Sequence, residues 1–282
     1  YPMQLAQGST FNGFFNNYDG LASGLQPIGV KYDDASRKVV CTLEQDDIMD
    51  GLNWLHKWYQ DGIINPDANV VTDGGKGSIF GSAQGWPAAA TTWAFNAGIE
   101  KYDLTQVFGP LYTTETIQGS MNAISANSKY KTEALKVLQL MNTDSKFRDM
   151  CAYGTEGNYM EYAEDGTVQK LRDDWNWPSY TQGTFFILST QADGDPDAWN
   201  QVKEQNESAV SSTCLGFALD VTNIQNEIAN CNTVWDKYKN DLLTGASDPA
   251  TAVPACIEEL KAAGLDTVIE EAQKQVDEFF AN

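Results

Sequence analysis

Trp175, Trp177 and Tyr180 fall within six residues of one another in the stretch DDWNWPSYTQGTFFIL at 173–188. Flat rings at that density suit a ligand with an apolar face and a polar rim, and the C–H face of a sugar ring is such a surface. The same rings could instead fasten a loop to the core together with Pro178, and both readings stand at this point. Trp86 and Trp93 form a second pair, in TDGGKGSIFGSAQGWPAAATTW at 72–93. Residues 193–204, DGDPDAWNQVKE, set Asp193, Asp195 and Asp197 at alternate positions with Glu204 at the twelfth, the spacing of a calcium loop. That loop needs glycine at its sixth position, where Ala198 stands. Asp195-Pro196 equally reads as a helix N-cap followed by proline at the first helical position.

Catalytic chemistry finds less support. Asp and Glu number 39, so some pair must lie at glycosidase distance, yet no local motif isolates an acid and a base. The nucleophile elbow G-x-S-x-G is absent, and neither G-x-x-x-x-G-K-[ST] nor G-x-G-x-x-G occurs among the glycines of 72–93. His56, the single histidine, lies between Leu55 and Lys57 on a predicted helix. It has no partner motif, and one histidine cannot build the usual metal shells. No catalytic residue is assigned and no cofactor is expected.

The 282 residues are 42% hydrophobic and 11% aromatic, enough for a sizeable core in one or two domains. Eighteen Lys and Arg against 39 Asp and Glu give a formal charge of −21. Like charges repel at long range, which argues against nucleic acid and anionic membranes as partners, and the charge suits a soluble acidic surface. Five cysteines, Cys41, Cys151, Cys214, Cys231 and Cys256, form no C-x-x-C and are odd in number, so at least one thiol is unpaired. One pair among Cys214, Cys231 and Cys256 stays open, while apolar neighbours such as Val40 and Met150 point to buried free thiols. No 18-residue apolar run exists, and YPMQLAQGST has neither a basic nor an apolar leader region.

The elements that must position these residues follow from periodicity. Residues 1–37 read as loop with short strands, and 38–43 as a strand. A helix from Glu44 carries Ile48, Leu52, Leu55 and Tyr59 on one face and stops at Gly62. In GSMNAISANSKYKTEALKVLQLMNTD, at 119–144, Ala123 and Ile124 close a predicted strand and a polar loop leads into a helix. That helix is expected to bury Ala134, Val137, Leu138 and Met141. A shorter helix, SKFRDMCAYG, precedes a hairpin of YMEY, the turn AEDG and TVQKL. The C-terminal third predicts three helices. One runs through Ile224, Ile228, Cys231, Trp235, Tyr238 and Leu242 to Gly245, and one follows Asp248-Pro249 with Val253, Ile257 and Leu260. The last, from Asp266, buries Val268, Ala272, Val276 and Phe279.

Gly119, Ala123, Ile124 and Ser125, followed by Ser128, Lys129, Tyr130, Glu133, Ala134 and Leu138, match a strand-to-helix pattern, G-x-x-x-A-I-S into S-K-y-x-x-E-A-x-k-x-L. With YGTEGNYMEY at 153–162, LGFALD at 215–220, LLTGASDP at 242–249 and LKAAGLDTVIEEAQKQVDEF at 260–279, the chain resembles the extracellular solute-binding proteins of carbohydrate ABC transporters. The blocks resemble that family's large lipoprotein-type branch and cover most of residues 30–282.

The resemblance implies an α/β, type II periplasmic-binding-protein-like fold of two lobes with a helix-rich C-terminal third. In that family the first lobe is normally built largely from residues upstream of the part that this chain matches. By the same analogy residues 1–113 form a lobe-two α/β segment, 114–172 a return segment contributing to lobe one, and 173–282 a helical segment packing on the lobes. In the family a strand end places an aromatic in the cleft, which implies Trp93, with Trp86 behind it. Asn122 falls near the lobe junction, Glu156, Tyr159 and Trp177 in or near the cleft with Trp175 beside them, and Tyr1 and Gln4 at its rim. The implied role is capture of an oligosaccharide outside the cell for the permease subunits of an ABC importer, by a monomer without catalysis. Family members carry a lipoprotein signal and a preceding segment, so this chain is expected to be the C-terminal part of a membrane-anchored protein. Two other readings remain at this point, a carbohydrate-active hydrolase in a similar shell and a non-enzymatic surface adhesin, and some related binders take peptides.

Overall fold

The spacing of apolar residues sets the helices. In the computed structural model, which describes residues 1–74, 78–87, 89–90, 93–94, 98–100, 102–172, 174–177 and 179–281, the helix Asp46–Gln60 buries Ile48, Leu52 and Leu55 on one face. Tyr59, expected on that face, is half-buried and donates its hydroxyl to Pro66 O at 2.7 Å. Gly62, with φ of 69°, follows the helix end as expected.

The chain forms two units, one of Tyr1–Gln84, Leu111–Thr116 and Val210–Asn282, the other of Gly85–Pro110 and Ile117–Ala209. In the first unit the strands Tyr18–Asp19, Ile28–Lys31 and Val40–Cys41 make an antiparallel sheet in that order, with Tyr18 opposite Lys31 and Ile28 opposite Cys41. Leu111–Tyr112 pairs in parallel with Val210–Ser211. The helices Gln225–Leu243, Pro249–Ala262 and Leu265–Phe280 pack on one another, and the first two also pack on Asp46–Gln60. Their buried faces are Ile228, Cys231, Trp235 and Leu242, then Val253, Cys256 and Leu260, then Val268, Ala272 and Val276. Phe279 departs from its expected place: it is half exposed, edge-on to Phe217 and Phe280.

Two local devices fix these helix ends. Asp248 accepts the backbone N–H of Ala250 at 2.9 Å, with Pro249 at the first helical position. Gly245 has φ of 79°, and a Cβ there would lie 2.3 Å from Leu55 O, so the turn after Leu243 requires glycine twice over. His56 Nδ1 donates to Gly245 O at 2.8 Å, which gives the lone histidine a structural place.

In the second unit the helices Lys131–Thr143 and Ser145–Tyr153 lead to the hairpin Met160–Tyr162 with Val168–Lys170, where Met160 faces Lys170 and Tyr162 faces Val168. Its core is Tyr153, Met160, Val168 and Leu188, against which Tyr162, Phe185 and Trp199 pack. Three expectations are corrected in this unit. Residues 119–130 form neither strand nor helix. Backbone N–H and C=O groups need a neighbouring strand to pair with, and among the described residues no strand pairs with 119–124. The helix Lys131–Thr143 is real, but only Met141 of its expected face is buried, Ala134 and Leu138 are half-buried, and Val137 is 47% exposed. Trp93 is expected to end a strand, yet the described residues Ala89, Ala90, Trp93 and Ala94 are helical.

All five cysteines are free thiols, four of them buried and Cys151 half-buried, so the pair left open among Cys214, Cys231 and Cys256 does not form. Burial pushes the Cys41, Cys214 and Cys231 thiols up to about 11 and Cys256 up to about 12. Among the described residues no helix is long and apolar enough to cross a membrane.

Candidate functional site

Tyr159 and Trp175, in neither strand nor helix, meet with ring centroids 5.2 Å apart at an interplanar angle of 56°. The approach depends on Gly154: a Cβ there, at φ of 90°, would lie 2.5 Å from Tyr159 Cβ. Trp175 is anchored by its indole, which donates to Cys151 O at 3.0 Å. The Arg172 guanidinium also lies against Tyr159, 4.8 Å from the ring centroid. Arg172 is held in turn by Asp174, with Nε to Oδ1 at 2.9 Å and a second bond to Oδ2, and its Nη1 reaches Asn158 Oδ1 at 3.4 Å. The hydrogen bond between Arg172 and Asp174 holds the guanidinium above its usual range and the carboxyl below its own.

The result is two half-buried rings flanked by a fixed cation and a carboxylate. Such a surface offers stacking to an apolar ring face together with charged and amide groups for hydroxyls. It offers no nucleophile paired with a base.

The other predicted residues are placed as follows. Trp86 and Trp93 do meet, edge to face, with centroids 5.8 Å apart at 76°. Glu156 and Asn122 are exposed, and Trp177 is 39% exposed. Tyr1 is exposed, and Gln4 is half-buried with its backbone N–H donating to Ser78 Oγ at 3.1 Å. Tyr1 and Gln4 belong to the first unit, whereas Trp86, Trp93, Asn122, Glu156, Tyr159, Trp175 and Trp177 belong to the second. Pro178, invoked as a loop fastener, lies outside the described residues, as do positions 75–77 of the glycine-rich loop.

Around Asp193, Asp195, Asp197 and Glu204, the carboxylate of Asp195 accepts the Asp197 N–H at 2.8 Å and Gln201 Nε2 at 2.7 Å, and Asp197 accepts Asn200 Nδ2 at 2.7 Å. Among the described residues no three His, Cys, Asp or Glu side chains are placed to hold a metal ion. The helix starts at Ala198, three residues beyond Asp195, so Asp195 makes a turn ahead of the helix and is not its N-cap.

A polar framework in the same unit has no counterpart in the sequence pattern. Arg148 and Asp149 are both buried. Arg148 donates to Thr184 O at 3.0 Å and to Ser179 O at 2.8 Å. Asp149 accepts from Tyr162 Oη at 2.9 Å, Ser189 N at 2.9 Å and Ser189 Oγ at 2.8 Å. Burial, reinforced by the bond to Asp149, pushes the Tyr162 hydroxyl far above its usual range, and burial lowers Arg148. An Arg-Asp pair on a short helix reads by default as surface charge, and its partners lie 13 to 40 positions away.

The fold is that of the solute-binding proteins. A solved N-glycan transport solute-binding protein, NgtS, from Streptococcus pneumoniae superposes with a TM-score of 0.83 at 26% identity, over 94% of this chain and 61% of that one. The same protein in complex with Man1GlcNAc gives a TM-score of 0.79 at 25% identity over 100% of this chain and 64% of that one. In sequence, the chain is homologous to a carbohydrate ABC transporter substrate-binding protein of Streptococcus pneumoniae serotype 4 (strain ATCC BAA-334 / TIGR4). The two are 27% identical over 283 residues, which is 95% of this chain and 57% of the relative. The chain thus spans a little over half the length of the curated relative it matches. The family described as a domain of unknown function (DUF3502) matches residues 213–281, the three C-terminal helices and the turn before them. The resemblance read from the sequence is therefore right, and neither the hydrolase nor the adhesin reading finds support in these matches.

Proposed function

We propose that the protein containing this chain captures an oligosaccharide outside the cell and hands it to the permease of an ABC importer without breaking a bond. The observation that carries this reading is similarity along 95% of the chain to a protein named for carbohydrate import, matched by a TM-score of 0.83 to a glycan-transport binding protein. The relative solved with Man1GlcNAc favours a mannose- and N-acetylglucosamine-containing ligand. Tyr159 and Trp175 are the stacking platform in this account, Arg172, Asp174 and Glu156 the hydroxyl partners, and Trp93, Trp86, Trp177, Asn122, Tyr1 and Gln4 further contributors. We assign the protein a monomeric state and a lipoprotein anchor, both on the family resemblance.

Calorimetric titration of a mannose- and N-acetylglucosamine-containing oligosaccharide into wild type, Trp175→Ala and Trp177→Ala tests the assignment. Loss of one stacking ring weakens binding by about tenfold. Equal heats and affinities in all three proteins remove both tryptophans from the site.

A further inference from the structure

A pocket lies wholly within the second unit and shares no residue with the ligand set above. It has a volume of about 290 Å³ and is lined by the hairpin turn Asp165–Thr167, by 186 and 188–190, and by Pro196, Trp199 and Asn200. The size is at the small end of ligand pockets, which begin at about 300 Å³, so it fits one ring rather than a chain of rings. Two of its walls are aromatic, the exposed Phe186 and the half-buried Trp199. Trp199 is held in place by stacking on Phe185, with centroids 4.8 Å apart at 24°.

The polar walls are fixed from behind. Ser189 is bound twice by the buried Asp149, and Asp165 Oδ1 accepts Thr167 N at 2.9 Å and Thr167 Oγ1 at 2.6 Å. Those bonds from Thr167 hold the Asp165 carboxyl below its usual range, so the pocket keeps a negative charge at neutral pH. Anionic ligands are disfavoured there by that carboxylate and by the chain's charge of −21.

One atom in this region is incomplete. Trp199 Nε1 is buried with no hydrogen-bond partner, whereas buried donors in folded proteins are paired in the great majority of cases. That nitrogen is closed off from solvent, so Trp199 meets an occupant of the pocket through its ring and not through its N–H. We propose that this pocket is a separate binding site for a single neutral sugar ring. Phe186 and Trp199 receive its apolar face, and Asp165 and Asn200 engage its hydroxyls.

The test is an NMR titration of the full chain, labelled with ¹⁵N at tryptophan, with methyl α-mannoside and with N-acetylglucosamine. The Trp199 indole signal is assigned by its disappearance in Trp199→Phe. With either sugar the signal shifts saturably, and Asn200→Ala weakens that binding by about five- to tenfold, the scale of one hydrogen bond. Trp175→Ala leaves it unchanged. An indole signal unmoved by both sugars, or an affinity unaltered in Asn200→Ala, overturns the proposal. Oligosaccharide heat in calorimetry with a stationary Trp199 signal removes this pocket alone. A moving Trp199 signal without that heat removes the main reading and keeps the pocket.

Discussion

Asp149 receives three donors, the hydroxyl of Tyr162 and the N–H and hydroxyl of Ser189, and so ties the helix Ser145–Tyr153 to the hairpin and to the 185–190 loop. Replacing it with alanine leaves those donors without an acceptor, at about 1–3 kcal/mol for each that stays buried. We expect Asp149→Ala to lower the stability in urea titrations by about 3 kcal/mol, and a loss below about 1 kcal/mol would contradict the role assigned to it. The thiols make a second test. Cys151 is the one cysteine that is not fully buried, so native alkylation read by mass spectrometry labels it first. The other four have folded values raised from 9.0 to about 11 or 12 by burial. A raised acid favours the folded state below its unfolded value and loses that contribution as pH climbs through its folded value. Thermal melts should therefore be level with respect to these thiols up to pH 9 and fall between pH 9 and about 12. Early labelling of Cys231 or Cys256 would contradict the burial.

At the scale of elements, Asp248 and Gly245 bracket the turn between two long helices. Asp248→Ala removes a cap and costs about 0.5–2 kcal/mol. Gly245→Ala, which sets a methyl against Leu55 O, should cost more, and equal melting temperatures for the two variants would contradict the steric argument. The helices of the first unit are readable because a 3.6-residue repeat is local: Ile48, Leu52 and Leu55, or Val268, Ala272 and Val276, each report one face in a short window. The hairpin is readable because the turn AEDG separates two short runs, and Gly166 takes φ of 83° there. What fails depends on partners remote in sequence. Val137 has the right period and no cover, Ala123 and Ile124 have strand character and no described neighbour, and Arg148 is buried by residues 31 and 36 positions away. Of the candidate site, the pairings Tyr159–Trp175 and Trp86–Trp93 involve residues the sequence singles out, but the geometry of the first comes from Gly154 and Cys151, to which no motif points.

For the whole molecule, apolar side chains in solvent are the conspicuous feature of the second unit: Ile117, Met121 and Tyr130 on the segment before the helix Lys131–Thr143, and Leu135, Val137 and Leu140 on it. Exposed apolar side chains bind other apolar surfaces. The 282-residue chain should therefore enhance the fluorescence of a hydrophobic dye, and Leu135→Ser with Leu140→Ser should reduce that response; an unchanged response would contradict the exposure. The central claim, reversible capture of a glycan, is tested most directly by equilibrium dialysis against an oligosaccharide of mannose and N-acetylglucosamine, followed by mass spectrometry of the released sugar. The account predicts saturable retention and recovery of the sugar at its original mass. No retention, or recovery of shortened fragments, would contradict it.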